Sequence, residues 1–328
     1  VQEGRGGEEA VSAAGEVTSA ACGAAPVIEG CFAEVQPGVR LHYARCGDAS
    51  KPLMLMLHGF PEFWGAWRHL MPAFADAYHV VAPDLRGYNL SDKPAAVADY
   101  RPSKLIADVA GLVRALGHER CVLVAHDWGG AIAWSVAIAH PELIERLVIL
   151  NAPHPVPFAK ALASDPAQIR ASQYMNWLRR PGSETVLAQD GFARLESFFL
   201  NLGGEAWFDA ATRHAYHSAW SQPGALAGGV NWYRASPLHP ATESEPGASG
   251  LSPDAQAFTV RVPTLVIWGE RDTALLPVLL DGLDALVPDL RIVRLPEATH
   301  WLAHEQPERV VAEIRAFLGL GPEDRDAA

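Results

Sequence analysis

Residues 121–134 read CVLVAHDWGGAIAW. An apolar run suited to a buried strand leads into a tight turn, and the turn opens into a helical pattern. The turn has the form small-x-acid-x-small-small, from Ala125 through Asp127 to Gly129 and Gly130. Small residues are required at its ends because strand and helix pack closely around a sharp bend that presents one side chain at the sheet edge. Serine is the commonest presented residue; here it is Asp127. Taken alone, Asp127 reads equally well as an N-cap for a helix over 129–139.

The flanks build a sheet around this turn. Val39–Cys46 (VRLHYARC) alternates as a half-buried strand does. Short apolar runs at 53–57, 79–83, 121–125, 147–150, 264–268 and 291–295 read as buried parallel strands. Helical patterns over 102–116, 129–139 and 307–319 lie between or after them, which predicts an α/β fold with crossover helices. Between Asn151 and about Pro240 no strand candidate occurs, only aromatic-rich helical sequence, so an inserted helical cap is expected there. The organisation expected is a disordered tail over 1–26, core over 27–152, cap over 153–240, core over 241–320 and an acidic tail over 321–328.

The 328 residues are 49% apolar and 20% charged, the balance of a folded domain, with a net charge of -12. That acidity argues against a duplex nucleic-acid binder. Cys22, Cys31, Cys46 and Cys121 are too few and scattered for a disulfide framework or zinc site. No apolar run reaches membrane-spanning length. The N-terminal stretch has no signal-peptide pattern, so a cytoplasmic location is expected, although a chain opening on Val1 leaves a removed leader open. His214 and His217, three apart, have no third ligand nearby in sequence, and no metal is expected. No phosphate-cradling glycine loop occurs, so no nucleotide is expected.

An aspartate presented in this way attacks an sp³ carbon and leaves an alkyl ester on itself. Water must then hydrolyse the ester, which calls for a base and for donors to the developing oxyanion. The N–H groups of Phe60, in HGFPE after strand 53–57, and of Trp128 are the expected donors. His300, beyond strand 291–295, is the expected base. Asp272 is the expected acid that orients it, with Glu270 and Glu297 as rivals. The chain order Asp127, Asp272, His300 is a known triad order.

With these residues in place, residues 30–320 resemble the α/β-hydrolase superfamily, and within it the soluble epoxide hydrolases. The resemblance lies in HGFPEFWGAWR (58–68), DLRGYNLSDKP (84–94), AHDWGGAIAW (125–134), NWYR (231–234), ERD (270–272) and THW (299–301). It implies conversion of an epoxide and water to a vicinal diol, without a cofactor, by a monomer or homodimer. It also implies two cap tyrosines that donate to the epoxide oxygen: Tyr233 in NWYR, and Tyr174, seven residues before Pro181-Gly182. A phenol, with pKa near 10, stays protonated at neutral pH. Tyr216 reads as packing. Cap aromatics such as Phe158, Phe198, Phe199 and Trp207 suggest an apolar pocket. Trp177, Trp232, Phe60 and Trp301 are the expected substrate contacts.

Two dehalogenase chemistries share the aspartate nucleophile. Haloalkane dehalogenases usually carry Asn where Phe60 stands. Fluoroacetate dehalogenases place Arg at the position of Trp128 to bind a carboxylate. A catalytically silent ligand-binding hydrolase fold is a more distant alternative, and a serine esterase lacks its serine at the elbow.

Overall fold

The computed structural model describes residues 26–321 except 202. The expected tails therefore lie outside the described residues, apart from Pro26 and Gly321. Eight strands form one sheet: β1 (Glu29–Gln36), β2 (Val39–Cys46), β3 (Leu53–Leu57), β4 (His79–Pro83), β5 (Cys121–His126), β6 (Ile144–Leu150), β7 (Thr264–Gly269) and β8 (Leu290–Leu295). Their spatial order is β1-β2-β4-β3-β5-β6-β7-β8. The β1–β2 and β2–β4 pairs are antiparallel and every other pair is parallel. This is the α/β-hydrolase arrangement that the sequence predicts. Strand β1 is the element the pattern analysis missed: an edge strand with mostly exposed side chains has no clean apolar alternation to read.

The central strands are continuous apolar runs because both sheet faces are covered. Leu53, Leu55 and Leu57 point to one face, with Val109 and Val113 of helix α1 (Pro102–Ala115) and Ile132 and Val136 of helix α2 (Asp127–Ala139). Met54 and Met56 point to the other, with Trp67, Phe74, Val310 and Ile314. Register then levels the strand ends. Leu57 pairs with Ala125, Ala125 with Ile149, and Leu150 with Ile267. The segments that leave β3, β5, β6, β7 and β8 thus emerge along one edge, where open α/β sheets bind ligands.

Between β6 and β7 the chain forms seven α-helices and, among the described residues, no strand: α3 (Pro155–Ser164), α4 (Pro166–Ala171), α5 (Gln173–Leu178), α6 (Ser183–Leu187), α7 (Ala193–Leu200), α8 (Ala210–Trp220) and α9 (Ala225–Ala235). Two further helices, α10 (Leu302–Glu305) and α11 (Pro307–Leu318), follow β8. No helix among the described residues is long and apolar enough to cross a membrane.

The turn after β5 is where packing is tightest. A Cβ on Gly129 would strike the carbonyl oxygens of Leu57 and His58, and one on Gly130 would strike the Ala152 methyl. Backbone carbonyls cannot swing aside as a side chain can. Gly129→Ala is therefore expected to destabilise the protein by about 1–3 kcal/mol, the usual range for overpacking, as measured by urea denaturation. An unchanged midpoint would show that helix α2 has room to move.

Candidate active site

Asp127 takes φ +49° as the first residue of α2, an uncommon conformation for a non-glycine residue. It does not cap the helix. The N-cap is His126, and no side chain bonds the first-turn amides there. The Asp127 carboxylate turns instead to the β3 loop, where its Oδ1 accepts the Phe60 N–H at 2.8 Å. Gly59 permits this approach, since a Cβ there would overlap Asp127 itself. The Trp128 N–H lies in the first turn of α2, where amide donors have no partner within the helix.

His300 stands between two carboxylates. Its Nε2 is 3.6 Å from Asp127 Oδ2, and its Nδ1 is 2.6 Å from Asp272 Oδ2. The rival acids turn away: Glu270 pairs with Arg294 at 3.0 Å, and Glu297 pairs with Arg271. Asp272 is fixed from three sides. Its Oδ1 accepts from the Ala274 and Leu275 amides at 2.8 and 2.9 Å, and its Oδ2 accepts from Asn151 Nδ2 at 2.7 Å. Asn151 also accepts the Gly269 N–H at 2.7 Å, so one side chain ties the ends of β6 and β7 together.

These contacts set the charges. Burial opposes ionisation of Asp127, but the hydrogen bond and charge of His300, the charge of His126 and the Phe60 N–H outweigh it, holding the carboxyl below its ordinary value. Burial would likewise lower the His300 pKa. The Asp272 carboxylate first, then Asp127, overcome this and push it up to about 10. Tyr174 and Tyr233 are pushed well above 10, chiefly by burial and further by neighbours that include Asp127. Both phenols therefore keep their protons at neutral pH.

Asp127, Trp128, Tyr174 and Tyr233 line one cavity of about 460 Å³, within the range of small-molecule sites. The cavity follows one face of α2 through Ala131 and Ser135, four and eight residues beyond Asp127, and reaches Leu251. A rise of about 1.5 Å per residue makes that stripe about 12 Å long. Asp127 is the one charged residue in its lining, which holds no Lys, Arg or His.

Residues 52–307 match the alpha/beta hydrolase fold family. The chain belongs to that family. Epoxide hydrolase 4 of Mus musculus is 37% identical over 296 residues, covering 88% of this chain and 79% of the mouse protein. Among solved structures, one from a study of novel epoxide hydrolases in metagenomes from hot environments is 37% identical with a TM-score of 0.81, covering 89% of this chain and 99% of its own. A mutant epoxide hydrolase of Bacillus megaterium, complexed with its naphthyloxy-propane-diol product, is 33% identical with a TM-score of 0.80, covering 88% and 100%.

Three expected substrate contacts are absent from the cavity lining. The Trp232 indole donates to the Arg86 carbonyl at 2.9 Å, and the Trp301 indole to the Phe198 carbonyl at 2.9 Å. Trp177 lies under the Arg194 guanidinium, 4.3 Å from its ring centre. A buried indole N–H needs an acceptor, and for Trp232 and Trp301 that acceptor anchors the ring in the wall behind the site. Phe60 also leaves the lining: it offers its N–H to Asp127, while its ring packs edge-on against Tyr233 at 5.3 Å. The lining contains instead Met175, Leu275, Phe258 and Pro102, which no motif marks.

A buried network centred on Glu62 was not foreseen. Its Oε1 accepts from Tyr216 Oη at 2.8 Å and His304 Nε2 at 2.7 Å, and its Oε2 faces His126 Nδ1 at 3.2 Å. His126 Nε2 in turn donates to the His300 carbonyl at 2.9 Å. Tyr216 is therefore a hydrogen-bonding member of this network as well as packing. Burial opposes the Glu62 charge, but its histidine partners hold its carboxyl well below the ordinary range. His58 bonds the Gly59 carbonyl and accepts the Leu85 amide, fastening the β3 loop. His217 pairs with Glu196, and no group of three or more ligating residues among those described could hold a metal.

The charge balance around His300 can be tested directly. Asp127→Asn removes a carboxylate that raises the His300 pKa, so the value should fall from about 10 in an NMR titration of the imidazole. A pKa still near 10 would assign the whole elevation to Asp272.

Proposed function

We propose that this protein hydrolyses epoxides to vicinal diols through an ester on Asp127. One juxtaposition carries the reading: a buried, ionised aspartate and two protonated tyrosines line the same apolar cavity. A carboxylate alone attacks carbon but leaves the departing alkoxide without a proton. Tyr174 and Tyr233 donate to the epoxide oxygen as Asp127 bonds to a ring carbon.

In the second step a water oxygen bonds to the ester carbonyl carbon and gives a proton to His300 Nε2. The Phe60 and Trp128 N–H groups hold the developing oxyanion. The acyl–oxygen bond then breaks, and the proton passes to the departing diol oxygen. Esterification neutralises Asp127 and so removes part of what raises the His300 pKa. His300 can then give up its proton, which replaces the one the tyrosines gave to the epoxide oxygen, and it stands as a neutral base at the stage that needs one.

The dehalogenase readings have less support. A haloacid carboxylate would meet no Lys, Arg or His in the cavity lining. A released halide has no need of two protonated phenols. The single apolar slot along α2 favours neutral epoxides that bear one extended alkyl or aryl arm.

Single turnover of styrene oxide in ¹⁸O-water should place label in the peptide that carries Asp127; diol without label there would mean direct attack by water. Asp127→Ala should abolish turnover, and His300→Gln should trap the ester. Tyr233→Phe should slow ring opening, and adding Tyr174→Phe should bring the loss to about 10²–10⁴-fold, the usual worth of a general acid. Unchanged alkylation rates in both variants would remove the tyrosines from the mechanism.

A further inference from the structure

The ester mechanism needs water at Asp127 while the substrate's apolar arm fills the cavity along α2. A second, smaller cavity lies between the β3 loop, the Tyr88 loop and helices α8 and α9. It holds about 10 Å³, room for one water molecule. Phe60, Glu62, Tyr88, Asn89, Leu226 and Gly229 are among its walls.

Its lining is mostly apolar, as that of the substrate cavity is, and Glu62, Tyr88 and Asn89 stand in it. Tyr88 is 5% exposed, and its hydroxyl makes no hydrogen bond to the protein. A buried hydroxyl left unpaired is unfavourable, and the cavity whose wall Tyr88 forms has room for one water as its partner. Glu62 and Asn89, whose amide donates to Asp84 at 2.8 Å, stand elsewhere in the same wall.

The position relates this cavity to Asp127. Phe60 lines the small cavity but not the large one, and its ring meets Tyr233, which lines the large one. The Phe60 N–H rests on the Asp127 carboxylate. Glu62 faces His126, which bonds the His300 carbonyl. Asp127 is thus one residue's contacts away from this cavity, and the His300 backbone two. Half-buried Leu226 forms part of its wall.

We propose that the cavity behind Phe60 is a water site that supplies ester hydrolysis by a route separate from that of the substrate. This rests on the ester reading above. Water held by Tyr88 and Glu62 passes the Phe60 ring, bonds to the ester carbonyl carbon of Asp127 and yields its proton to His300, after which the acyl–oxygen bond breaks and the diol takes the proton.

Two substitutions outside the reacting groups test the route. A Cβ at Gly229 would stand 3.1 and 3.2 Å from the Phe60 ring and 3.6 Å from that of Tyr88, filling the cavity. Tyr88→Phe removes the water's anchor without adding bulk. Rapid-quench kinetics with styrene oxide separate ester formation from ester hydrolysis. Expected are ester formation within about twofold of wild type in both variants, and hydrolysis slower by about tenfold in Gly229→Ala and several-fold in Tyr88→Phe, with ester accumulating. Wild-type hydrolysis in both folded variants overturns the proposal. So does slowing in Gly229→Ala alone, which would trace to displacement of Phe60, or an equal fall in both steps. An absence of ester in wild-type and His300→Gln enzyme alike would instead defeat the ester reading, and the water route with it.

Discussion

The placement of Asp127 depends on a backbone that the rest of the fold has to hold. A non-glycine residue at φ +49° is unfavourable by about 1–3 kcal/mol and persists where its surroundings over-determine it. Here strand β5 is fixed on both sides by β3 and β6. Helix α2 is pressed onto the β3 carbonyls and onto Ala152, across glycines that admit no Cβ. The bend between them has nowhere to relax. The carboxylate accordingly reaches the Phe60 N–H of the neighbouring loop instead of turning back to cap its own helix.

Charge is arranged around that fixed point with comparable economy. Two acids facing His300 favour its cationic form, and the covalent step we propose would convert one of them to a neutral ester. Chemistry at one end of the imidazole would thereby reset its basicity, with no movement required. Below it, Glu62, His126 and His304 form a buried ionisable cluster whose outermost bond ends on the His300 carbonyl. The loop that carries His300 is thus tied to the loop that carries Phe60 and Glu62.

The sequence was most legible where periodicity and glycine placement carry the information. Five buried strands, the elbow and the order of Asp127, Asp272 and His300 all leave local marks; the run at 291–295, expected to be buried, is the part-exposed edge strand β8. Strand β1 leaves none, being exposed and antiparallel at the sheet edge. The tryptophans expected to touch substrate stand outside the cavity lining because aromatic content records hydrophobicity but not direction; what settles direction for Trp232 and Trp301 is a carbonyl more than a hundred residues away that accepts each indole N–H. Asn151 and Glu62 were overlooked for the same reason. Their partners lie at separations of 118 and 121 residues for Asn151, and from 64 to 242 for Glu62.

Asn151 stands at the point where the chain leaves the sheet for the long helical insertion. Its side chain closes a staple between the end of β6 and the end of β7, and the same amide steadies Asp272. The insertion therefore hangs as a module from a clamped pair of strand ends. Lengthening or shortening its outer helices leaves the register of Asp272 and His300 beneath it to the sheet. Roofs of different shape can in this way stand on one floor, so long as Tyr174 on α5 and Tyr233 on α9 keep their places over the cavity.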